Sequence, residues 1–187
     1  MKRTYVLLLL ALLVLAGVPI YAGSLLTNGG FETGNFTGWT TGGNFEATEV
    51  TSGAFYAYSG AEEGSYYAVL GPVGSDGTLT QTFLDTAGVE YTFSFWLASV
   101  GDNPSDFTAY WDGTPVLSLT NPNTGATWTQ FAFTELGTGS DSIMFSFRDD
   151  PAYIALDNAS VGTPEPASLT LLAGGLLALA FRLRRRR

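Results

Sequence analysis

The stretch Glu90-Tyr91-Thr92-Phe93-Ser94-Phe95-Trp96-Leu97-Ala98 alternates large apolar with mostly smaller polar side chains. A period of two puts Tyr91, Phe93, Phe95 and Leu97 on one face of an extended chain and Thr92, Ser94 and Trp96 on the other. The same rhythm continues on both sides. Residues 107–111 run through Asp112-Gly113, a type I′ hairpin signal, into residues 116–119. Residues 127–135 place Phe131 and Phe133 on one face, Trp128 and Gln130 on the other. Residues 141–148 group Ile143, Phe145 and Phe147, with Arg148 opposite. Further strands are expected at 44–50, 66–70, 78–84 and 152–158. Gly, Asn and Asp interrupt the pattern every 8–12 residues or so, and no helical period or internal repeat appears. The expected fold is an all-β sandwich.

The two ends do not follow this pattern. Met1-Lys2-Arg3 precedes an apolar run from Tyr5 to about Gly17, and Val18-Pro19-Ile20-Tyr21-Ala22 closes it. A basic start, an apolar segment of about 7–15 residues and a small residue at the cut define a secretory signal peptide. Residues 1–22 are assigned to it, with cleavage after Ala22 by a signal peptidase. At the other end, Pro164-Glu165-Pro166 leads into an almost wholly apolar run from Ala167 to Leu183, interrupted only by Ser168, Thr170 and Arg182. Arg184, Arg185, Arg186 and Arg187 follow. As a helix, that run would reach about 25 Å, enough to span a slightly thinned bilayer while Arg182 snorkels. The arginine cluster is expected on the cytoplasmic side, which places the preceding chain outside.

The order of Pro-Glu-Pro, apolar span and arginine cluster resembles the PEP-CTERM sorting signal of Gram-negative bacteria that make extracellular polysaccharide. The resemblance covers residues 163–187 and implies processing by an exosortase near Pro164, Glu165 and Pro166. Residues 23–162 remain as one expected domain.

Charge separates this domain from its ends. Of the eight basic residues only Arg148 lies within it, against sixteen of the seventeen acids, so its net charge is near −15. Nucleic-acid binding is excluded in practice, because phosphate contacts require clustered Lys and Arg. Such acidity favours solubility and attracts divalent cations. The chain has no cysteine to form disulfides and no histidine, and the domain has no lysine. The usual nucleophile–base pairs and zinc sites are therefore absent. A glycosidase-type carboxylate pair is the one catalytic option left, and the protein is not expected to be an enzyme.

Two segments bear on the type of sandwich. Leu26-Thr27-Asn28-Gly29-Gly30-Phe31-Glu32-Thr33-Gly34 precedes Phe36-Thr37-Gly38-Trp39, and Tyr153-Ile154-Ala155-Leu156-Asp157-Asn158-Ala159-Ser160-Val161 lies near the end. Together they resemble the first and last strands of galactose-binding-like jelly rolls, the fold of many carbohydrate-binding modules. In that fold the two strands often meet at a structural calcium ion. The resemblance implies Glu32 and Asp157 as side-chain ligands, completed by backbone carbonyls such as those of Asn28 or Gly30. The plainer alternative is that both acids only accept hydrogen bonds from turn N–H groups.

Sugar binding needs aromatic faces and a few polar groups. Trp96, Tyr110, Trp128 and Arg148 all fall on the phase opposite the apolar face and form the candidate platform, unless the aromatics pack under loops. Arg148-Asp149-Asp150-Pro151 reads either as a ligand loop or as a self-paired turn. The expected function is a non-catalytic, exosortase-sorted module at the cell surface or in the extracellular matrix that associates with polysaccharide. The alternative is a matrix or coat protein acting through protein contacts, with glycoside hydrolysis the weakest reading.

Overall fold

The computed structural model describes residues 23–163; the expected signal peptide and the sorting tail with its arginine cluster lie outside the described residues. Ten strands form in order: β1 (Thr40–Gly43), β2 (Thr48–Ser52), β3 (Tyr66–Leu70), β4 (Gly77–Leu84), β5 (Glu90–Ala98), β6 (Ser105–Trp111), β7 (Thr114–Thr120), β8 (Thr129–Leu136), β9 (Ser140–Asp149) and β10 (Ile154–Gly162). They make two five-stranded sheets, ordered β1-β4-β9-β6-β7 and β2-β3-β10-β5-β8. Every pairing is antiparallel. The fold is the expected jelly-roll sandwich, and no helix occurs among the described residues.

Alternation in the sequence becomes alternation in burial. Tyr91, Phe93, Phe95 and Leu97 of β5 face Phe107, Ile143, Phe145 and Phe147 across the sandwich, all buried in one core. Phe145 lies at the centre, with ring centroids 5.0 Å from Phe95, 5.6 Å from Phe107 and 5.8 Å from Phe93. Aromatic rings at these separations contribute about 0.5–1.5 kcal/mol per pair beyond the area they bury. At the β6–β7 turn, Asp112 and Gly113 both take positive φ (47° and 73°), as the hairpin signal requires.

Two departures from expectation have physical causes. Thr40-Thr41-Gly42-Gly43 carries no apolar residue, yet it forms edge strand β1 through its register with Thr80, Leu79, Thr78 and Gly77 of β4. The N-terminal segment around Phe31, expected as a strand, is instead a chain of turns, with positive φ at Asn28, Phe31 and Gly34. Its fully buried Phe31 stacks on Trp39 at 5.7 Å, so the segment docks by a plug and not by a ladder.

Two polar clamps hold that plug. The Gln81 side-chain amide, buried on β4, accepts from the Thr27 backbone N–H at 2.5 Å and donates to the Thr27 carbonyl at 3.0 Å. The Ala159 N–H donates to the Gly29 carbonyl at 3.0 Å, and a Cβ at Gly29 would collide with the Ala159 carbonyl oxygen. Only glycine permits this backbone approach.

The sheets differ on their outer faces. Over the second sheet a smaller core forms, where Tyr58 from the β2–β3 loop and Trp128 from the β7–β8 loop cover Tyr67, Val69, Ala98 and Ala155. No comparable cover lies over the outer face of the first sheet among the described residues. Gly29→Ala is expected to cost about 2 kcal/mol or more and to lower the thermal midpoint by roughly 5–10 °C, measured by circular dichroism.

Candidate functional site

Strand β10 builds the acidic site. It first buries Ile154 and Leu156 in the main core, while Ala155 and Asp157 point to the other side of the sheet. A bulge then shifts the register between Asp157 and Ser160, with Asn158 at φ 47°. The extra residue re-phases the strand, so Ala159 and Val161 return to the main core. Asp157 is left completely buried outside that core, opposite Trp96 of β5.

Its carboxylate is met by backbone. Asp157 Oδ2 accepts from the Glu62 N–H at 2.8 Å and the Glu63 N–H at 3.4 Å, and Oδ1 from the Asn158 N–H at 2.7 Å. The Asn158 side-chain amide donates to Glu62 and Glu63 at 3.3 and 3.0 Å, steadying their carboxylates. Glu32 Oε1 accepts from the Ser65 and Tyr66 N–H groups at 2.8 and 2.9 Å. Gly64 leaves room for it, since a Cβ there would collide with the Glu32 carboxylate. Gly30, Glu32, Glu63, Gly64, Asp157 and Asn158 line an open notch of about 270 Å³. The structure thus brings Glu32 and Asp157 together, and both also accept from turn N–H groups.

Among the described residues the notch has no positive partner, since their one basic residue, Arg148, pairs with Asp106 and Asp150. Burial raises the Asp157 carboxyl to about 7, against the three N–H groups that lower it, and the neighbouring Glu62 charge adds to the rise. The oxygen donors suit a hard cation such as calcium. Among the described residues no three acidic side chains are grouped closely enough to hold a metal by carboxylates alone. A cation here would take Glu32, Asp157 and neutral oxygens. The Asn28 carbonyl already accepts from the Phe31 N–H and the Trp39 indole N–H, both at 3.1 Å, which leaves Gly30 as the better backbone donor of the two expected.

The four platform residues divide between the sheets. Trp96 lies half-buried on the outer face of the second sheet, beside Asp157. Trp128 packs edge-on against Tyr67 at 5.8 Å, and its indole N–H donates to the Gly60 carbonyl at 3.1 Å, so it serves the smaller core. Tyr110 and Arg148 lie on the outer face of the first sheet, where registers pair Tyr110 with Met144 and Arg148 with Asp106. A single alternation marks the face of a strand but not the sheet to which the strand belongs, so the four do not share one surface.

On that first-sheet face, Arg148 Nε sits 3.6 Å from Asp106 and 3.7 Å from Asp150. Between Arg148 and Tyr110 lies a row of hydroxyls. Ser146 donates to Asp76 at 3.0 Å and stands between Thr78 and Thr108, and Thr108 donates to Ser118 at 3.5 Å. Tyr110 and Arg148, four residues apart in register, are separated by about 13 Å along the strands. The Arg148–Asp150 pair fits a self-paired turn, whereas Asp149 is wholly buried. Sequence patterning gave no sign of the roles of Glu62, Glu63 and Asp149, because acids in loops or at strand ends carry no periodic signature.

Comparison with known proteins supports both parts of the chain. The PEP-CTERM protein-sorting motif spans residues 163–186. It points to export, with a C-terminus anchored in the membrane before processing. No curated protein matches the sequence. Among solved structures, the chain is similar to TmCBM61 in complex with β-1,4-galactotriose, at 21% identity and TM-score 0.61, over 75% of this chain and 99% of that one. It is similar to a cyclase from Fischerella sp. TAU, at 18% identity and TM-score 0.54, over 74% and 97%. The K1 cleaved adhesin domain of Lys-gingipain from Porphyromonas gingivalis W83 also matches, at 16% identity and TM-score 0.54, over 72% and 96%. At these identities the likeness establishes the jelly-roll fold. Since the neighbours include a carbohydrate-binding module and a cyclase, the fold alone does not assign the chemistry.

Burial also raises the Asp149 carboxyl to about 7. For Asp149 and Asp157 the folded form therefore binds protons that the unfolded chain, near 3.8, releases. In the presence of a chelator, the stability they withhold at pH 8 should return as pH falls through about 7 toward 4. The thermal midpoint should rise by on the order of 5 °C between pH 8 and pH 5.5. Asp149→Asn should flatten part of that slope.

Proposed function

We propose that this protein is an exported, exosortase-sorted, non-catalytic module that associates with extracellular polysaccharide through the outer face of its first sheet. The observation that carries the reading is the outer face on which Tyr110, Met144, Thr108 and Arg148 stand in register and partly exposed, with Ser146 buried between them against Asp76. Tyr110 and Met144 offer an apolar surface to the flat side of a sugar ring. The hydroxyl row and the carboxylates of Asp76 and Asp106 suit sugar hydroxyls, which both donate and accept hydrogen bonds. Arg148, the one basic residue among those described, is already flanked by two aspartates, and the domain is near −15 overall, which favours a neutral glycan over an anionic one. The galactotriose complex of TmCBM61 and the sorting motif support the same reading. Signal peptidase and exosortase would act at the two ends, delivering the domain to the cell surface or matrix.

The notch at Glu32 and Asp157 has a structural role in this account. A calcium ion bound there would join the N-terminal plug to β10 and offset the desolvation of Asp157. It takes no part in sugar contact, because it lies on the other sheet.

Tyr110→Ala and Arg148→Ala are each expected to weaken retention on a neutral-glycan array by roughly tenfold, about 1.4 kcal/mol, with an unchanged melting curve. Trp128→Ala should instead lower the thermal midpoint and leave binding by the folded protein intact. Retention indifferent to Tyr110 and Arg148 would remove the first-sheet face from the account. Calcium should raise the thermal midpoint of the wild type at pH 7.5, and Glu32→Gln should abolish most of that gain.

A further inference from the structure

Asp149, the last residue of β9, falls on the same phase as Ile143, Phe145 and Phe147, facing the interior. It is 0% exposed, and neither carboxylate oxygen has a hydrogen-bond partner. Among the described residues nothing nearby supplies a hydrogen. The Tyr58 hydroxyl, whose ionisation is disfavoured by burial and then by the Asp149 charge, donates to the Tyr153 carbonyl. The Tyr56 hydroxyl donates to Asp102 Oδ2 at 3.3 Å. The guanidinium of Arg148 lies on the opposite face of the sheet with Asp106 and Asp150.

The charges acting on Asp149 are both negative, Asp102 first and Asp150 second. A buried carboxylate in such a field is costly unless a counter-charge reaches it. Protonation alone removes the charge but leaves a neutral carboxyl whose O–H and carbonyl also lack partners. A cation meets both needs, since it satisfies the oxygens and offsets the aspartate field.

We propose that the end of the sandwich around Asp149 is a second divalent-cation site of the calcium class, with Asp149 as its buried carboxylate ligand and Asp102 as the second. Because among the described residues no three acids are grouped for a carboxylate-only site, the remaining ligands are neutral oxygens. The loops that carry Asp102 and Asp150 meet here: the Asp150 N–H donates to the Pro104 carbonyl at 3.0 Å, and the Asp149 N–H to the Pro72 carbonyl at 3.2 Å. A cation at Asp149 therefore ties the β3–β4, β5–β6 and β9–β10 connections together at one end of the domain. This site is independent of the glycan reading and of the notch at Glu32 and Asp157.

The test is calcium stoichiometry by equilibrium dialysis on the full chain, paired with terbium luminescence excited through tyrosine, for which Tyr56 and Tyr58 are the nearby antennae. Wild type is expected to bind one more calcium per chain than Asp149→Asn, and that variant should lose a tyrosine-sensitised terbium component that Glu32→Gln keeps. Asp102→Asn should weaken the same component about tenfold. Equal stoichiometry in wild type and folded Asp149→Asn overturns the proposal and leaves Asp149 as a protonated or hydrated acid. Should Asp149→Asn fail to fold, unchanged terbium affinity in Asp102→Asn overturns it equally.

Discussion

One inserted residue in β10 organises much of this domain. Without the bulge between Asp157 and Ser160, a strict period of two would turn Ala159 and Val161 away from the core that Ile154 and Leu156 enter. With it, both halves of the strand serve the same core, and Asp157 is held where the Glu62, Glu63 and Asn158 N–H groups converge. The same displaced stretch presents the Ala159 N–H to Gly29, which anchors the N-terminal plug. A local break in the ladder thus joins first and last segments that lie more than a hundred residues apart.

Acidity is the second constraint. A domain with a single arginine cannot neutralise its carboxylates by ion pairs, so it relies on backbone N–H groups and, in this account, on cations from outside. Among the described residues, Asp157 and Asp149 are fully buried acids whose carboxyls burial raises to about 7, and they lie on different strands. In this account the stability of the domain follows the divalent-ion concentration around it.

The core was legible because its strands obey period two. Tyr91, Phe93, Phe95 and Leu97, and likewise Ile143, Phe145 and Phe147, are buried as a group. The Asp112-Gly113 hairpin was legible because its turn chemistry is local. Strand β1 was not, since Thr40 to Gly43 is drawn into the sheet by hydrogen bonding with β4 and buries little. The plug around Phe31 has no period to read, being an isolated aromatic among glycines, and the family resemblance that implied a strand there did not reveal its turns. Glu32 and Asp157 came from a family resemblance, and the structure places them in one notch. The platform failed as a unit for a topological reason: in a jelly roll successive strands cross between sheets, and Trp96 and Tyr110, close in sequence, face solvent on opposite sides.

The central claim is that the open face of the first sheet recognises a neutral glycan. Backbone NMR shifts followed during titration with neutral oligosaccharides test it most directly, because they locate contact without assuming which residues matter. The account predicts saturable shifts along β6 and β9 from Tyr110 to Arg148, with little change at Trp96 and Trp128. Shifts centred on Trp96 and the Glu32 notch, or none with any neutral oligosaccharide, would contradict it.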